Sequence, residues 1–367
     1  MHLAIVTNSY PPRLGGLESH VSNLAQGLDD LGHRVHVLTI SSERSRRNDG
    51  GVKVLTGRAH LPIAEVISFP GPGTARAIAQ YLRREHVDVV STHTRFFPMS
   101  LVGMRAAQAA GLPVIHTEHG SGFVASPSPI ITVGSRAVDL TAGRYVLRHA
   151  DRVLGVSPEA AAFARRLGAP HADVFYNAIT PSVFTDAVPD RPDHLVFVGR
   201  VVAGKGWDTF LRAVSALRAA GQDVTGELLG DGAQLAQARQ ECRTLGLNGV
   251  VAIRGRVPQE QARAALRGAT LVNPTVLSEG FQTTLLETIA ERGRVVTFEV
   301  PGAQLLRESG APVKICRERS LDCLVTALQE LLDNPPVPAS RELIDPWTWP
   351  VRAREYSEVV GEVLAGR

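Results

Sequence analysis

The feature that most constrains this chain is a repeated alternation of short apolar runs with stretches of helical periodicity. Leu3–Thr7 reads as a strand. Leu17, Val21, Leu24, Leu28 and Leu31 then recur at helical spacing, and residues 34–40 read as a strand again, so the opening is a βαβ unit. Further strands are predicted at 87–91, 114–117 and 153–156, with helices at 74–85 and 98–110 between them. Alternation of this kind predicts parallel sheets covered by helices on both faces.

The pattern restarts after a polar stretch with two prolines, residues 186–193. From there strands are predicted at 194–198, 225–229, 250–254, 270–273 and 294–298. Helices are predicted at 207–220, 233–245, 259–266, 283–292 and 321–332. The expected fold class is therefore α/β, with two doubly wound, Rossmann-like domains facing a cleft. The expected boundaries are residues 1–182, 183–345, and a tail at 346–367 that carries Trp347 and Trp349 and crosses back to the first domain. In open α/β sheets ligands bind beyond the carboxyl ends of strands, which directs attention to the residues just after each run.

Composition narrows the class. With 367 residues and 44% apolar content the chain supports two sizeable cores. A formal net charge of +3 is too small to argue for nucleic acid. Residues 1–182 hold 18 Lys/Arg against 13 Asp/Glu, which reads either as ordinary surface variation or as a face for an anionic membrane or acceptor. Three cysteines without CxxC spacing, a start without a basic leader and the lack of an apolar run of about 18 residues fit a cytoplasmic protein, peripheral at the inner face of a membrane if it touches one.

Four segments carry the chemistry. After the first strand, Gly15 and Gly16 precede Leu17 and Glu18 at the entry to a helix, where free N–H groups suit a phosphate, although a Gly-Gly turn also serves structure alone. Arg200 follows the strand at 194–198, and Lys205 lies between two glycines before a helix. The pair suits a diphosphate, and lysine is scarce, with only Lys53, Lys205 and Lys314 present. Gly230 and Gly232 flank Asp231, read as a tight turn with Asp231 capping the next helix or facing a ligand.

The fourth segment runs from Asn273 to Glu287. Glu279 and Glu287 are eight residues apart, about 800° on a continuous helix, so they do not share a helix face. Placing Glu279 in a loop, Gly280 as its pivot and Glu287 inside a helix directs the N–H groups of Phe281, Gln282, Thr283 and Thr284 at a diphosphate. Glu287 then meets ribose hydroxyls, and Glu279 meets the donor sugar.

These motifs, in this order over nearly the whole chain, resemble family 4 of the glycosyltransferases, which are retaining and have the GT-B fold. The resemblance implies that Gly15-Gly16 approach the donor phosphates and that Arg200 and Lys205 stabilise the departing diphosphate. It implies that His119, ahead of Gly120, faces the donor sugar. His116 falls inside a strand and reads as packed, and His20 as structural. Two departures, Ala178 after Asn177 and Pro301-Gly302-Ala303 in place of a Gly-Gly pair, concern contacts to the donor sugar.

The expected activity is hexosyl transfer from a nucleoside-diphosphate sugar, UDP- rather than GDP-linked, to a glycan, glycolipid or small-molecule hydroxyl. No cofactor or metal is expected, because the cations and helix N–H groups stabilise the leaving group. The alternatives are a nicotinamide oxidoreductase, with Glu43 near the end of the second strand but no GxGxxG, and a non-catalytic sugar-nucleotide-binding homologue.

Overall fold

The computed structural model describes residues 1–13, 15–63, 67–123, 129–180, 188–277 and 280–367. The chain divides into two units, Met1–Ala178 with Trp349–Arg367, and Ile179–Thr348.

The first unit is built on a nine-stranded sheet. Its strands are β1 (His2–Val6), β2 (Arg34–Ser41), β3 (Ser45–Asp49), β4 (Val52–Ile63), β5 (Ile67–Pro70), β6 (Val89–His93), β7 (Val114–Glu118), β8 (Arg152–Gly155) and β9 (Asp173–Val174). They lie in the order β3-β4-β2-β1-β6-β7-β8-β9, with β5 on β4. β1 is central: Ile5 aligns with Val37 of β2 and with Ser91 of β6, both in parallel. Both faces of β1 are buried. Leu3 and Ile5 pack with Leu24, Leu28, Trp349 and Tyr356, while Ala4 and Val6 pack with Leu38, Leu82, Met99 and Met104. That two-sided burial is why the strand reads as a continuous apolar run.

The alternation predicts a parallel sheet, and the first unit departs from that at one side. β3 and β5 run antiparallel to β4. β3 reads Ser-Arg-Arg-Asn-Asp and forms a sheet edge, where charged side chains discourage further pairing and leave no apolar signal to recognise. The helix Trp349–Ala365 packs on the helix Gly16–Asp30, where Gly27 lets Ala353 approach: an added Cβ would stand 2.8 Å from it.

The second unit holds six parallel strands, β10 (His194–Val198), β11 (Thr225–Leu229), β12 (Val251–Gly255), β13 (Thr270–Asn273), β14 (Arg294–Phe298) and β15 (Val313–Cys316). Their order is β12-β11-β10-β13-β14-β15. The chain thus starts in the middle, winds one way through β11 and β12, and crosses back to β13. This is a doubly wound sheet whose direction reverses between β10 and β13. Leu195, Phe197, Phe210, Leu211, Val214, Leu228 and Leu328 form its core. Among the described residues no helix is long and apolar enough to cross a membrane.

Candidate functional site

In the second unit the loops that follow β10, β11 and β13 meet at the reversal point, and glycine makes the meeting possible. Gly230 has φ 144°, and an added Cβ would stand 1.8 Å from the Gly199 carbonyl oxygen. Gly206 has φ 87°, and its Cβ would stand 2.4 Å from the Pro274 oxygen. Backbone hydrogen bonds lock the loops together: Gly199 N–H donates to Leu229 O (3.0 Å), Val201 N–H to Asp231 O (2.9 Å), and Val276 N–H to Gly204 O (2.9 Å).

Arg200 and Lys205 stand on this loop platform. Arg200 is exposed and Lys205 half-buried. Asp231 does not cap the following helix. Its Oδ1 accepts from Gly232 N–H at 2.7 Å, and the helix Leu235–Thr244 begins after Gln234 with no side-chain cap. The intervening Gly232-Ala-Gln turn, rather than helix, explains the difference.

The helix Thr283–Ala290 follows β13 and also has no side-chain cap, so its first N–H groups are not satisfied in that way. Gln282, at its N-cap, is held by Asn273, whose Nδ2 donates to Gln282 Oε1 (2.7 Å) and to Thr297 Oγ1 (2.9 Å). Gln282 Nε2 is left buried without a partner among the described residues. Phe281 is buried, its ring stacked on Trp347 at 5.6 Å, and Gly302 makes room for it: a Cβ there would stand 2.5 Å from the ring. Gly302 therefore has a packing reason independent of any ligand. Gly280 is half-buried, and Glu279 lies outside the described residues. Glu287 is half-buried, accepts from Gln259 Nε2 (3.0 Å), and has its carboxyl raised above 4.5 by desolvation.

In the first unit the order reverses between β1 and β6, and histidines gather there. His20 comes from the helix after β1, His93 ends β6, and His119 follows β7. One ring nitrogen from each lies within 4.8 Å of the others. His93 Nδ1 and His119 Nε2 share a hydrogen bond at 3.2 Å, and Ser91 Oγ joins His93 Nε2 (3.1 Å) to the Tyr356 hydroxyl (2.6 Å). His20 Nδ1 donates to Asn177 Oδ1 at 2.7 Å. Desolvation lowers His20 to about 4 and holds His93 and His119 well below the usual histidine range, so all three are neutral near pH 7. His116 is fully buried and bonded to Thr92 Oγ1 (2.9 Å).

Gly15 has a packing role too. An added Cβ would stand 2.3 Å from the Glu18 carboxylate, which folds back beneath it and accepts from Ser9 Oγ at 2.6 Å. Gly16, by contrast, opens on free space.

Two features escape a reading of the sequence. Arg95 is buried and bridges Glu118 Oε1 (2.7 Å) and Asp139 Oδ2 (3.1 Å), while Glu118 Oε1 also accepts from Gly120 N–H (2.8 Å). Burial alone would raise the Glu118 carboxyl, but Arg95 outweighs it and holds the group down at about 2. The loop that presents His119 is thus anchored by a buried ion network. Thr94, between His93 and Arg95, has φ 62°, a strained value for a β-branched residue, of the kind that concentrates at functional sites. The signal available was the run Ser91-Thr-His-Thr-Arg95, directly after a predicted strand.

The first unit also contains an open cavity of about 520 Å³ beside β2 and β4, with Arg44, Arg46 and Arg58 on an otherwise largely apolar wall that includes Leu38, Ile40 and Met99.

The Glycosyltransferase Family 4 model matches residues 14–183, and the Glycosyl transferases group 1 model matches residues 192–334. The GPI3 subunit of phosphatidylinositol N-acetylglucosaminyltransferase from Saccharomyces cerevisiae is 27% identical over 321 residues, covering 82% of this chain and 68% of that protein. Among solved structures, sucrose-phosphate synthase from Thermosynechococcus elongatus superposes with a TM-score of 0.79 at 18% identity, over 100% of both chains. Anabaena HepE in complex with UDP gives 0.71 at 18% identity, over 100% of this chain and 98% of that one. These neighbours share the GT-B fold. Glu43, the residue an oxidoreductase reading would use, is exposed just beyond the end of β2, and it is the two family matches that set that reading aside. The chain belongs to glycosyltransferase family 4 and is an enzyme of the hexosyltransferase kind.

Proposed function

We propose that this enzyme moves a hexosyl group, with retention at the anomeric carbon and without a catalytic metal, from a nucleoside-diphosphate sugar to a hydroxyl acceptor. The observation that carries the reading is the reversal point of the second sheet. There the Arg200–Lys205 loop, the Gly230–Gly232 turn and the uncapped start of the helix Thr283–Ala290 follow neighbouring strands. Cations and a helix N-terminus in one place are what a diphosphate requires.

In the reaction the bond between the anomeric carbon and the diphosphate oxygen breaks, and the acceptor oxygen bonds to that carbon on the same face. The acceptor proton passes to the departing phosphate. Arg200, Lys205 and the helix N–H groups stabilise the charge that develops on the diphosphate, so a metal is not needed for that step. Glu287 accepts from ribose hydroxyls, and His119 and Glu279 face the sugar. Gly15 and Gly16 approach the phosphates.

UDP is the preferred base carrier in this reading; HepE was solved with it. The acceptor side is supported by the arginine-rimmed cavity of the first unit, whose apolar wall suits an anionic, lipid-linked hydroxyl. The yeast relative is named for transfer to phosphatidylinositol. In this reading the enzyme meets its acceptor at the cytoplasmic face of a membrane, through the basic residues of its first unit.

Calorimetry with UDP, GDP and ADP tests the donor. UDP is expected to bind, and Lys205→Ala and Arg200→Ala are each expected to cut turnover at saturating donor by about 10²-fold, non-additively. Near-native turnover in both variants would refute the diphosphate assignment.

A further inference from the structure

We propose that His20, His93 and His119 form a binding site for a borderline divalent transition-metal ion, Zn²⁺ foremost, which glycosyl transfer itself does not call for. Three geometric observations carry it.

The first is the set of ligand atoms. One nitrogen from each ring lies within 4.8 Å of the others. His93 Nδ1 and His119 Nε2 are 3.2 Å apart. Two nitrogens on a tetrahedral Zn²⁺, each at ~2.0–2.1 Å, stand about 3.3 Å apart, so this pair already has the spacing of two ligands. Since no nitrogen of the set of three stands more than 4.8 Å from another, closing the set to that spacing takes at most about 1.5 Å.

The second is an orphan. His20 Nε2 is buried and has no hydrogen-bond partner among the described residues. A buried polar atom without a partner costs free energy, which a bound ion would remove. Because His20 Nδ1 donates its proton to Asn177 Oδ1, Nε2 carries the lone pair, as a metal ligand must.

The third is the support behind the ligands. Histidines on a metal characteristically give their other N–H to an oxygen, which fixes tautomer and ring orientation. His20 has Asn177, and His93 has Ser91 Oγ at 3.1 Å, backed by Tyr356. When an ion replaces the hydrogen bond between His93 and His119, the proton shared there moves to the far nitrogen of the ring that held it. On His93 that nitrogen is Nε2, whose N–H then donates to Ser91 Oγ while the Ser91 hydroxyl turns to Tyr356, so the proton stays on the ring and none is released. The partial exposure of His119 gives an ion and a fourth, water ligand a way in. Three imidazoles and one open position suit Zn²⁺ and Cu²⁺ over Mg²⁺.

The test uses the full chain, stripped with EDTA and dialysed. Zn²⁺ is titrated against a chromogenic chelator, and Co²⁺ is followed by its visible absorption. One equivalent of Zn²⁺ and the intense bands of four-coordinate Co²⁺ are expected. Asn177→Ala, which leaves all three ligands in place, is expected to weaken Zn²⁺ about 10–100-fold, and His20→Ala to abolish stoichiometric binding. Zn²⁺ is also expected to raise the melting temperature of the wild-type protein, a readout that needs no variant to fold. A six-coordinate Co²⁺ spectrum, or unchanged Zn²⁺ affinity in both variants, would overturn the site. A separate arm measures turnover. Inhibition by Zn²⁺ that EDTA reverses rests further on His119 facing the donor sugar. Stoichiometric binding without inhibition upholds the metal site and overturns that placement.

Discussion

Replacing Arg95 by Met tests whether the His119 loop depends on a buried ion network. The side chains of Arg95, Glu118 and Asp139 are 2%, 0% and 0% exposed, so solvent screens them little. Met keeps the length and the apolar stem but leaves two carboxylates facing each other without a cation. It also removes the guanidinium from the face of Phe163, 4.5 Å from the ring centroid. Breaking a buried pair from one side typically costs about 3–5 kcal/mol. For a unit of this size, each kcal/mol lowers the melting temperature by about 2–4 °C, which gives a drop of about 6–20 °C. Hydrogen exchange resolved by peptide is the suitable assay, because β6 and β7 report on the first unit while β10 and β13 serve as an internal reference. Asp139→Asn is a milder companion that keeps an acceptor for Arg95, and a loss of about 1–3 kcal/mol is expected from it. A loss below 1 kcal/mol in Arg95→Met, or equal losses in both sets of strands, would show that the network does not hold the first unit together.

Three further outcomes are expected. Gly230→Ala should destabilise the second unit by several kcal/mol in urea unfolding, because its Cβ would stand 1.8 Å from the Gly199 oxygen at φ 144°; Gly16→Ala, where a Cβ meets nothing within 4 Å, should leave stability near native. Glu287→Gln should weaken free UDP by about tenfold to a hundredfold in calorimetry, whereas Glu279→Gln should leave UDP binding unchanged and lower turnover; equal losses of UDP affinity would refute the separation of roles. Since desolvation raises the Glu287 carboxyl, its charge is lost as pH falls through a value above 4.5. UDP affinity in the wild type should therefore decline on acidification earlier than an ordinary glutamate would cause, and Glu287→Gln should flatten that part of the profile.

The second sheet was legible in the sequence because its strands carry short apolar runs bounded by turns, and β13 and β14 are buried along their whole length. The predicted runs 225–229, 270–273 and 294–298 coincide with β11, β13 and β14. β15 and the helix Ala303–Glu308 were not read. They are four and six residues long, and Lys314 interrupts the apolar pattern of the strand. In the first sheet the edge strands were invisible, since β3 has no apolar face at all. The loops after β10, β11 and β13 could be named from their glycines. Which contact each glycine makes could not, because that depends on loops distant in sequence, as Gly230 meeting Gly199 and Gly302 meeting Phe281 show. The strand predicted from the sequence ends at Ser91 whereas β6 continues to His93, and those two residues decide whether that histidine is seen to join His20 and His119.

The return of Trp349–Arg367 to the first unit has a consequence for how the chain is made. Residues 179–348 are contiguous, so the second unit has all its parts as soon as they leave the ribosome. The first unit does not. Trp349, Tyr356 and Val360 complete the core around β1, and the Tyr356 hydroxyl completes the bond to Ser91. At translation rates of ~5–20 residues per second, those 170 intervening residues hold the first sheet unfinished for roughly 10–35 seconds. During that interval the apolar side of the helix Gly16–Asp30 lacks its native cover, so newly made protein is at its most vulnerable to aggregation and chaperone capture in the first unit, although it was synthesised first.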